Sequence, residues 1–415
     1  MKRYICILFV FIFAVSVLSC QRRSSPIAAT NDDSVSDQER PHSPGQGINK
    51  LTLDLFKQLP DDGQNLVFSP FSIGAALGMT YMGARENTQE EMARVLHFPY
   101  NQEDFRLAFG EYIQSIKSFT SDSISLNIAN SLWAQQDYHF LDGYFASTGE
   151  AFEAPVMQVD FVRNRENVRQ KINQWVWEQT REKISDLISP DALTQDTRLV
   201  LVNAIYFHGL WGRAFDSELT FEDQFLMEGD NKTIAHYMFR EGKYQFFGND
   251  SLQIIELPYA GQKLSMFILL PSEGLSPGHF EHRLDAEKLA DLFSHMEEQT
   301  VRAYIPRFKA ESKINLEETL MNMGLNSPFG KEADFSGMTG NKDLKIDKVI
   351  HQAVIEVEET GTEAAAATAV IVIRKTALDP IEPIIFRANR PYLFFIRENE
   401  GQGILFAGRV VDPSQ

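Results

Sequence analysis

Residues 361–376 read GTEAAAATAVIVIRKT, a stretch that offers the backbone two good conformations at once. Four consecutive alanines favour a helix, where alanine loses least entropy. The Val-Ile-Val-Ile run favours a strand, where β-branched side chains suit the pleated surface. An exposed alanine-rich helix would be flanked by charged helix formers, and β-branched residues stand there instead. Few segments offer the backbone two such good conformations, and the dibasic pair Arg374-Lys375 closes this one.

The rest of the chain can supply a frame for such a segment. It has 415 residues, 43% hydrophobic and 11% aromatic, enough for a sizeable core in one large domain or two modest ones. A formal net charge of -18 argues against nucleic-acid binding, which needs a basic face. The amino terminus, MKRYICILFVFIFAVSVLSC, has two cations, an apolar run from Tyr4 to Val15 and small residues before Cys20. It reads as a secretory signal, too short and too near the terminus for a spanning helix. Val17-Leu18-Ser19-Cys20 resembles the bacterial lipobox, which implies removal of residues 1–19, diacylation of Cys20 and a membrane anchor through that lipid. Cys6 lies in the discarded segment, so the mature chain has no disulfide and lipidation accounts for its one cysteine. Loss of Lys2 and Arg3 takes the formal charge from -18 to -20.

Residues 20–47 continue as Ser, Asp, Pro, Arg and Gly with little to bury, a lipidated end and flexible tether. From Ile48 the pattern changes. Helical periodicity appears at Ile48 to Gln58, in FSIGAALGMTYMGAR, TQEEMARVL and NVRQKINQWVWEQTREKI; strand-like runs such as TRLVLVNAIYFHG, LSMFILLP and GILFAGRVV follow. No repeat or second linker interrupts them. The expectation is one α+β domain over residues 48–415, with helices first and sheets later.

Enzymatic signals are thin. Gly274-Leu275-Ser276-Pro277-Gly278 matches the nucleophile-elbow pattern, but Pro277 has no N–H to donate to an oxyanion, so a turn is expected instead. His279 and His282 lack metal-ligand spacing, and no phosphate-cradling glycine loop occurs. No metal, no cofactor and no catalysis is expected. Trp175 and Trp177, two apart on one helix, cannot share a face, so one belongs at an edge.

At NLVFSPFSIGAALGMTYMGARENTQEEMARVLHF, LVNAIYFHGLWGRAF, IPRFK and FRANRPYLFFIRENEGQGILFAGRVVDP, together with EETGTEAAAAT, the chain resembles a serpin, in family order from about Ile48 to its end. The resemblance implies a large central β-sheet A, two smaller sheets, about nine helices and an exposed reactive-centre loop at about residues 359–380. It also implies a monomer that acts as an irreversible suicide inhibitor of serine proteases, with papain-like cysteine proteases caught by the same acyl chemistry. A non-inhibitory serpin serving as a surface binding protein or a protease substrate is the rival reading. Residues 359–375 are expected outside the fold as bait, entering sheet A as a new strand after cleavage. In that strand Thr362, Ala364, Ala366 and Thr368 share the face toward the core, small enough to enter without overpacking, while Glu363 points to solvent. Gly361 supplies freedom at the fold-in point, and Glu359 and Thr360 form the base of a hinge that continues through Ala365 and Ala367. The family's spacing places the cleaved bond at Lys375-Thr376, with Arg374-Lys375 as a second candidate for a trypsin-like enzyme, and the apolar residues 370–373 before it leave a broader range open to elastase-like or subtilisin-like enzymes. Ser69, Ser72, Asn203 and His351 correspond to the shutter beneath the strands that part, and Trp211 to the breach where insertion begins.

Overall fold

The computed structural model describes residues 43–98, 101–362 and 382–415. Cys20, the hinge residues Glu363, Ala364, Ala365, Ala366, Ala367 and Thr368, and the bait residues Arg374, Lys375 and Thr376 lie outside them.

Six helices occupy the first half: α1 (Pro44–Gln58), α2 (Pro70–Gly83), α3 (Glu86–Val95), α4 (Gln102–Lys117), α5 (Asp142–Phe152) and α6 (Phe161–Gln179). Four shorter ones, α7 (Pro277–Glu281), α8 (Ala286–Ser294), α9 (Glu317–Asn322) and α10 (Ser336–Thr339), lie among the later strands. Helix α1 begins four residues before Ile48, inside the stretch expected as tether. Ser43 caps it, its Oγ accepting the Gln46 N–H at 3.3 Å, and Pro44 opens the first turn. Its glycines look like linker, yet Gly45 is needed for contact: a Cβ there would stand 3.1 Å from the Gly401 carbonyl oxygen. Helix α2 is buried on nearly every side, as expected of a helix apolar all round.

The strands in chain order are β1 (Leu66–Phe68), β2 (Ile124–Gln135), β3 (Val156–Val159), β4 (Leu199–Leu210), β5 (Phe221–Leu226), β6 (Lys232–Gly248), β7 (Leu252–Pro258), β8 (Leu264–Pro271), β9 (Glu297–Pro306), β10 (Phe308–Asn315), β11 (Lys348–Val357), β12 (Gly361–Thr362), β13 (Ile384–Arg387), β14 (Tyr392–Glu398) and β15 (Ile404–Val410). They make two sheets. Sheet A has the order β10-β11-β12-β4-β2-β3. The other nine strands, expected as two smaller sheets, are joined along β6 into one hydrogen-bonded path. That strand is 17 residues long and serves β5 near its start, β9 in its middle and β7 at its end.

Both faces of sheet A are covered, which is why its central strands read as continuous apolar runs. Along β4, Leu199, Leu201, Ile205 and Phe207 belong to the main core, shared with α1, α2 and the second sheet. The intervening Val200, Val202 and Ala204 join a separate core with Phe161, Val168, Ile172 and Val176 of α6. Asn203 interrupts the first set and is buried there.

Strands β4 and β11 run parallel and pair directly from Val200–Lys348 to Tyr206–Val354. Beyond Tyr206 and Val354 a third segment lies between them. Thr362 of β12 pairs with Val357 on one side, and Gly361 and Thr362 pair with Leu210 and Gly209 on the other, antiparallel to both.

Candidate functional site

The turn that carries the chain from β11 into β12 is closed by its own backbone. Glu358 N–H donates to the Gly361 carbonyl at 2.8 Å, and Gly361 N–H returns to Glu358 at 3.2 Å. Trp211, just past β4, holds the same turn from the side. Its indole Nε1 donates to the Glu358 carbonyl and its backbone N–H to the Thr360 carbonyl, each at 2.9 Å. The indole stacks on Tyr259, centroids 4.6 Å apart and planes within 17°. Tyr259 Oη in turn shares a hydrogen bond of 2.9 Å with Thr362 Oγ1, so breach and hinge are one polar and aromatic unit. Burial pushes the Tyr259 phenol pKa far up, which keeps it neutral.

Residues 359–362 were expected outside the fold until cleavage. They are in it: Thr362 is fully buried, and Gly361 and Glu359 are buried. The reason is local. Between β4 and β11 the edge N–H and C=O groups left beyond their direct pairing need partners, and Gly361-Thr362 supplies them. Glycine is obligatory there, since a Cβ on Gly361 would stand 2.1 Å from the Gly209 carbonyl oxygen. Thr362 points inward, as the alternating pattern of small residues requires.

Glu359 anchors the base of the turn. Its Oε1 accepts from Arg307 Nε at 2.7 Å, from Arg307 Nη2 and from Thr220 Oγ1, while its carbonyl accepts the Phe215 N–H at 2.7 Å. Burial alone would raise the carboxyl pKa, but the hydrogen bonds from Arg307 and Thr220 outweigh it and hold the pKa below its usual value.

The second constellation lies beneath sheet A, where Asn130 of β2, Asn203 of β4 and His351 of β11 stand side by side in register. Ser69 N–H donates to His351 Nε2 at 3.0 Å, which leaves Nδ1 protonated and donating to Asn203 Oδ1. Asn203 Nδ2 donates to Ser72 Oγ at 2.6 Å and to Asn130 Oδ1; Ser72 Oγ donates to the same Asn130 oxygen at 3.1 Å. Ser69 also caps α2, accepting Ser72 N–H at 3.1 Å, and donates from Oγ to the Leu405 carbonyl at 2.6 Å. Full burial lowers the His351 pKa to about 3, so the imidazole is neutral. β4 and β11 cannot separate without breaking the His351–Asn203 bond.

All five residues assigned to shutter and breach thus fall into two connected clusters. Sequence reasoning missed Asn130, Tyr259, Thr220 and Arg307. Asn130 was visible as a polar residue inside an apolar strand, and Arg307 within IPRFK; neither reveals its partner. Of the remaining candidates, Ser276 precedes α7 and Pro277 opens that helix, while His279 is half-buried and His282 exposed. Trp175 packs edge-on to the buried Trp133 at 6.1 Å, and Trp177 is half-buried. Among the described residues no group of three or more His, Cys, Asp or Glu is placed to hold a metal.

A family model described as serpin (serine protease inhibitor) matches residues 46–413. The leukocyte elastase inhibitor of Sus scrofa is 40% identical over 375 residues, which cover 88% of this chain and 98% of that protein. An uncharacterised serpin-like protein of Thermococcus kodakarensis is 39% identical over 367 residues, 88% of this chain and 85% of its own. The crystal structure of uncleaved ovalbumin superposes with a TM-score of 0.81 at 30% identity, covering 89% of this chain and 100% of ovalbumin. By sequence and by fold, the chain belongs to the serpin family of protease inhibitors.

Proposed function

We propose that this serpin is an irreversible suicide inhibitor of trypsin-like serine proteases, cleaved at Lys375-Thr376. The observation that supports this most directly is the position of Gly361 and Thr362. They already occupy the first two places of a strand between β4 and β11, with Thr362 facing inward. The next residues of that face are Ala364, Ala366 and Thr368, each small enough to follow without displacing core side chains.

The protease attacks the Lys375 carbonyl and forms an acyl-enzyme, with Thr376 as the new amino terminus. Relieved of its far attachment, the segment from Glu363 onward extends β12 along β4 and β11, parting the direct pair between them. The attached enzyme is drawn along and its active site distorted before water reaches the ester. Each entering residue gains ladder hydrogen bonds worth about 1 kcal/mol net, and the buried methyl groups add about as much again per side chain.

The direct test is incubation with trypsin followed by denaturing gel electrophoresis. A complex that survives SDS is expected. A chain clipped in the loop with no complex would instead favour a non-inhibitory serpin. The bait positions themselves are tested by Lys375→Ser, which should sharply slow the reaction with trypsin.

We further propose that Cys20 carries lipid and anchors the domain to a bacterial cell envelope, in the outer membrane. The lipobox-like Val17-Leu18-Ser19-Cys20 motivates the lipid, and Gln21-Arg22-Arg23, which lacks the acidic residue that often retains lipoproteins in an inner membrane, motivates the outer membrane. Labelled palmitate should enter the wild-type protein and not the Cys20→Ser variant; equal labelling would refute it.

A further inference from the structure

The bait loop is rooted at both ends on one region of the second sheet. At its start, Glu359 is held by Thr220, the residue before β5, and by Arg307, the residue after β9. At its end, the chain returns as β13, which pairs with β9. The sheet face between these two roots carries an unusual side-chain set.

Strand registers place Phe221 opposite Tyr237, Phe239 opposite Tyr304, Tyr304 opposite Arg387, and Arg302 opposite Ile385, all on one face. The rings form a continuous cluster. Phe221 stacks on Tyr237 at 5.9 Å and meets Tyr304 edge-on at 6.0 Å, and Tyr304 reaches Phe239 at 4.9 Å. Tyr237 is buried at the base of the cluster and Phe239 and Tyr304 are half-buried, while its outer surface is presented by Phe221, 37% exposed, and by the neighbouring Ile385, 58% exposed. Its cations are already matched, Arg387 by Asp223 and Arg302 by Glu241 at 2.7 Å, and the Arg387 guanidinium lies over both tyrosine rings. An apolar, aromatic centre with arginines whose charge is neutralised in place is the composition of a protein contact surface, and an apolar partner face fits it better than a charged one.

We propose that this face is an accessory docking surface for the protease whose active site takes the loop, meeting an uncharged apolar patch beside that enzyme's cleft. The inference rests on the inhibitory reading above. Ile385 is ten residues from Lys375, a reach of at most about 35 Å, and a globular protease of about 230 residues has a radius of roughly 22 Å. An enzyme engaged at Lys375 is therefore within touching distance of the sheet that holds both ends of the loop. Because the encounter is reversible until acylation, extra contact here slows escape and raises the second-order rate of inhibition.

The test is a kinetic panel of trypsin-like, elastase-like and subtilisin-like proteases against the wild type and the exposed-site variants Ile385→Glu and Phe221→Glu. The control is Ile234→Glu: Ile234 is 54% exposed but lies on the opposite face of β6. For the fastest-inhibited enzyme, the second-order rate constant should fall about tenfold or more in the two variants and stay unchanged in the control. Stoichiometry of inhibition should hold in all three, and the thermal midpoint in Ile385→Glu and the control; Phe221→Glu, which also loses its ring contacts with Tyr237 and Tyr304, is compared at a temperature well below its own midpoint. Equal rates for all four proteins, with SDS-stable complexes still forming, would overturn the docking surface and leave the inhibitory reading standing. Absence of complex from the wild type with every enzyme would remove both.

Discussion

Single side chains decide whether the hinge stays docked. Glu359 joins Arg307 and Thr220 around one carboxylate oxygen, so Glu359→Lys would set a buried cation against Arg307 and leave Thr220 without its acceptor. With Arg307 partly exposed, a loss of about 2–3 kcal/mol is expected, read as a lower urea midpoint with unchanged slope. His351 gives a pH signature with a definite sign. Its folded-state pKa, about 3, lies below the ordinary 6.5, so the neutral form is favoured in the fold and this contribution is complete above 6.5. As pH falls from there toward 3, the unfolded chain takes up a proton that the fold refuses, and stability declines. Thermal midpoints measured between pH 7.5 and 5 should fall more steeply for the wild type than for His351→Gln; parallel slopes would show that this imidazole does not govern the effect. These partnerships were only half legible in the sequence. Ser69 before Pro70 announced a helix cap, but Thr220 and Glu359 are 139 residues apart, and Asn203 and His351 148. No local pattern encodes which strands will stand side by side.

Among the elements, β12 carries the functional account although it has only two residues. Thr362→Arg would require a long cation in a fully buried place beside Tyr259. β12 should be expelled, and the variant should behave as a protease substrate: cleaved in the loop, forming little SDS-stable complex, with stoichiometry of inhibition raised several-fold. An unchanged stoichiometry would mean that insertion through this position is not part of inhibition. The inward, buried place of Thr362 was legible in the alternation of small residues that it opens. How far the segment had already entered was not, because that depends on where the direct β4–β11 pairing ends and on the Gly209–Gly361 approach. The start of α1 was missed for a related reason: Gly45 and Gly47 resemble linker in composition but are buried in a helix. By contrast, α2 and β4 were clear, since dense apolar runs leave few alternatives to burial.

For the molecule as a whole, the proposed mechanism requires that the uncut form be held short of its most stable arrangement. Among the described residues sheet A takes in Gly361 and Thr362 as β12, and β12 and β13 belong to different sheets. On the proposed mechanism, scission of the chain between them is what allows more of it to enter. If the 13 residues from Glu363 to Lys375 then enter the sheet at about 1 kcal/mol of net hydrogen bonding each, roughly 13 kcal/mol is gained. The unfolding entropy of a domain this size is about 0.8 kcal/mol/K, so the thermal midpoint should rise on the order of 20 °C. The decisive measurement is calorimetry of the intact protein beside the same protein clipped once within the loop, the site mapped by mass spectrometry. A rise of about that size on clipping is the expected result. Equal midpoints, or a lower one after clipping, would contradict strand insertion as the source of the inhibitory force.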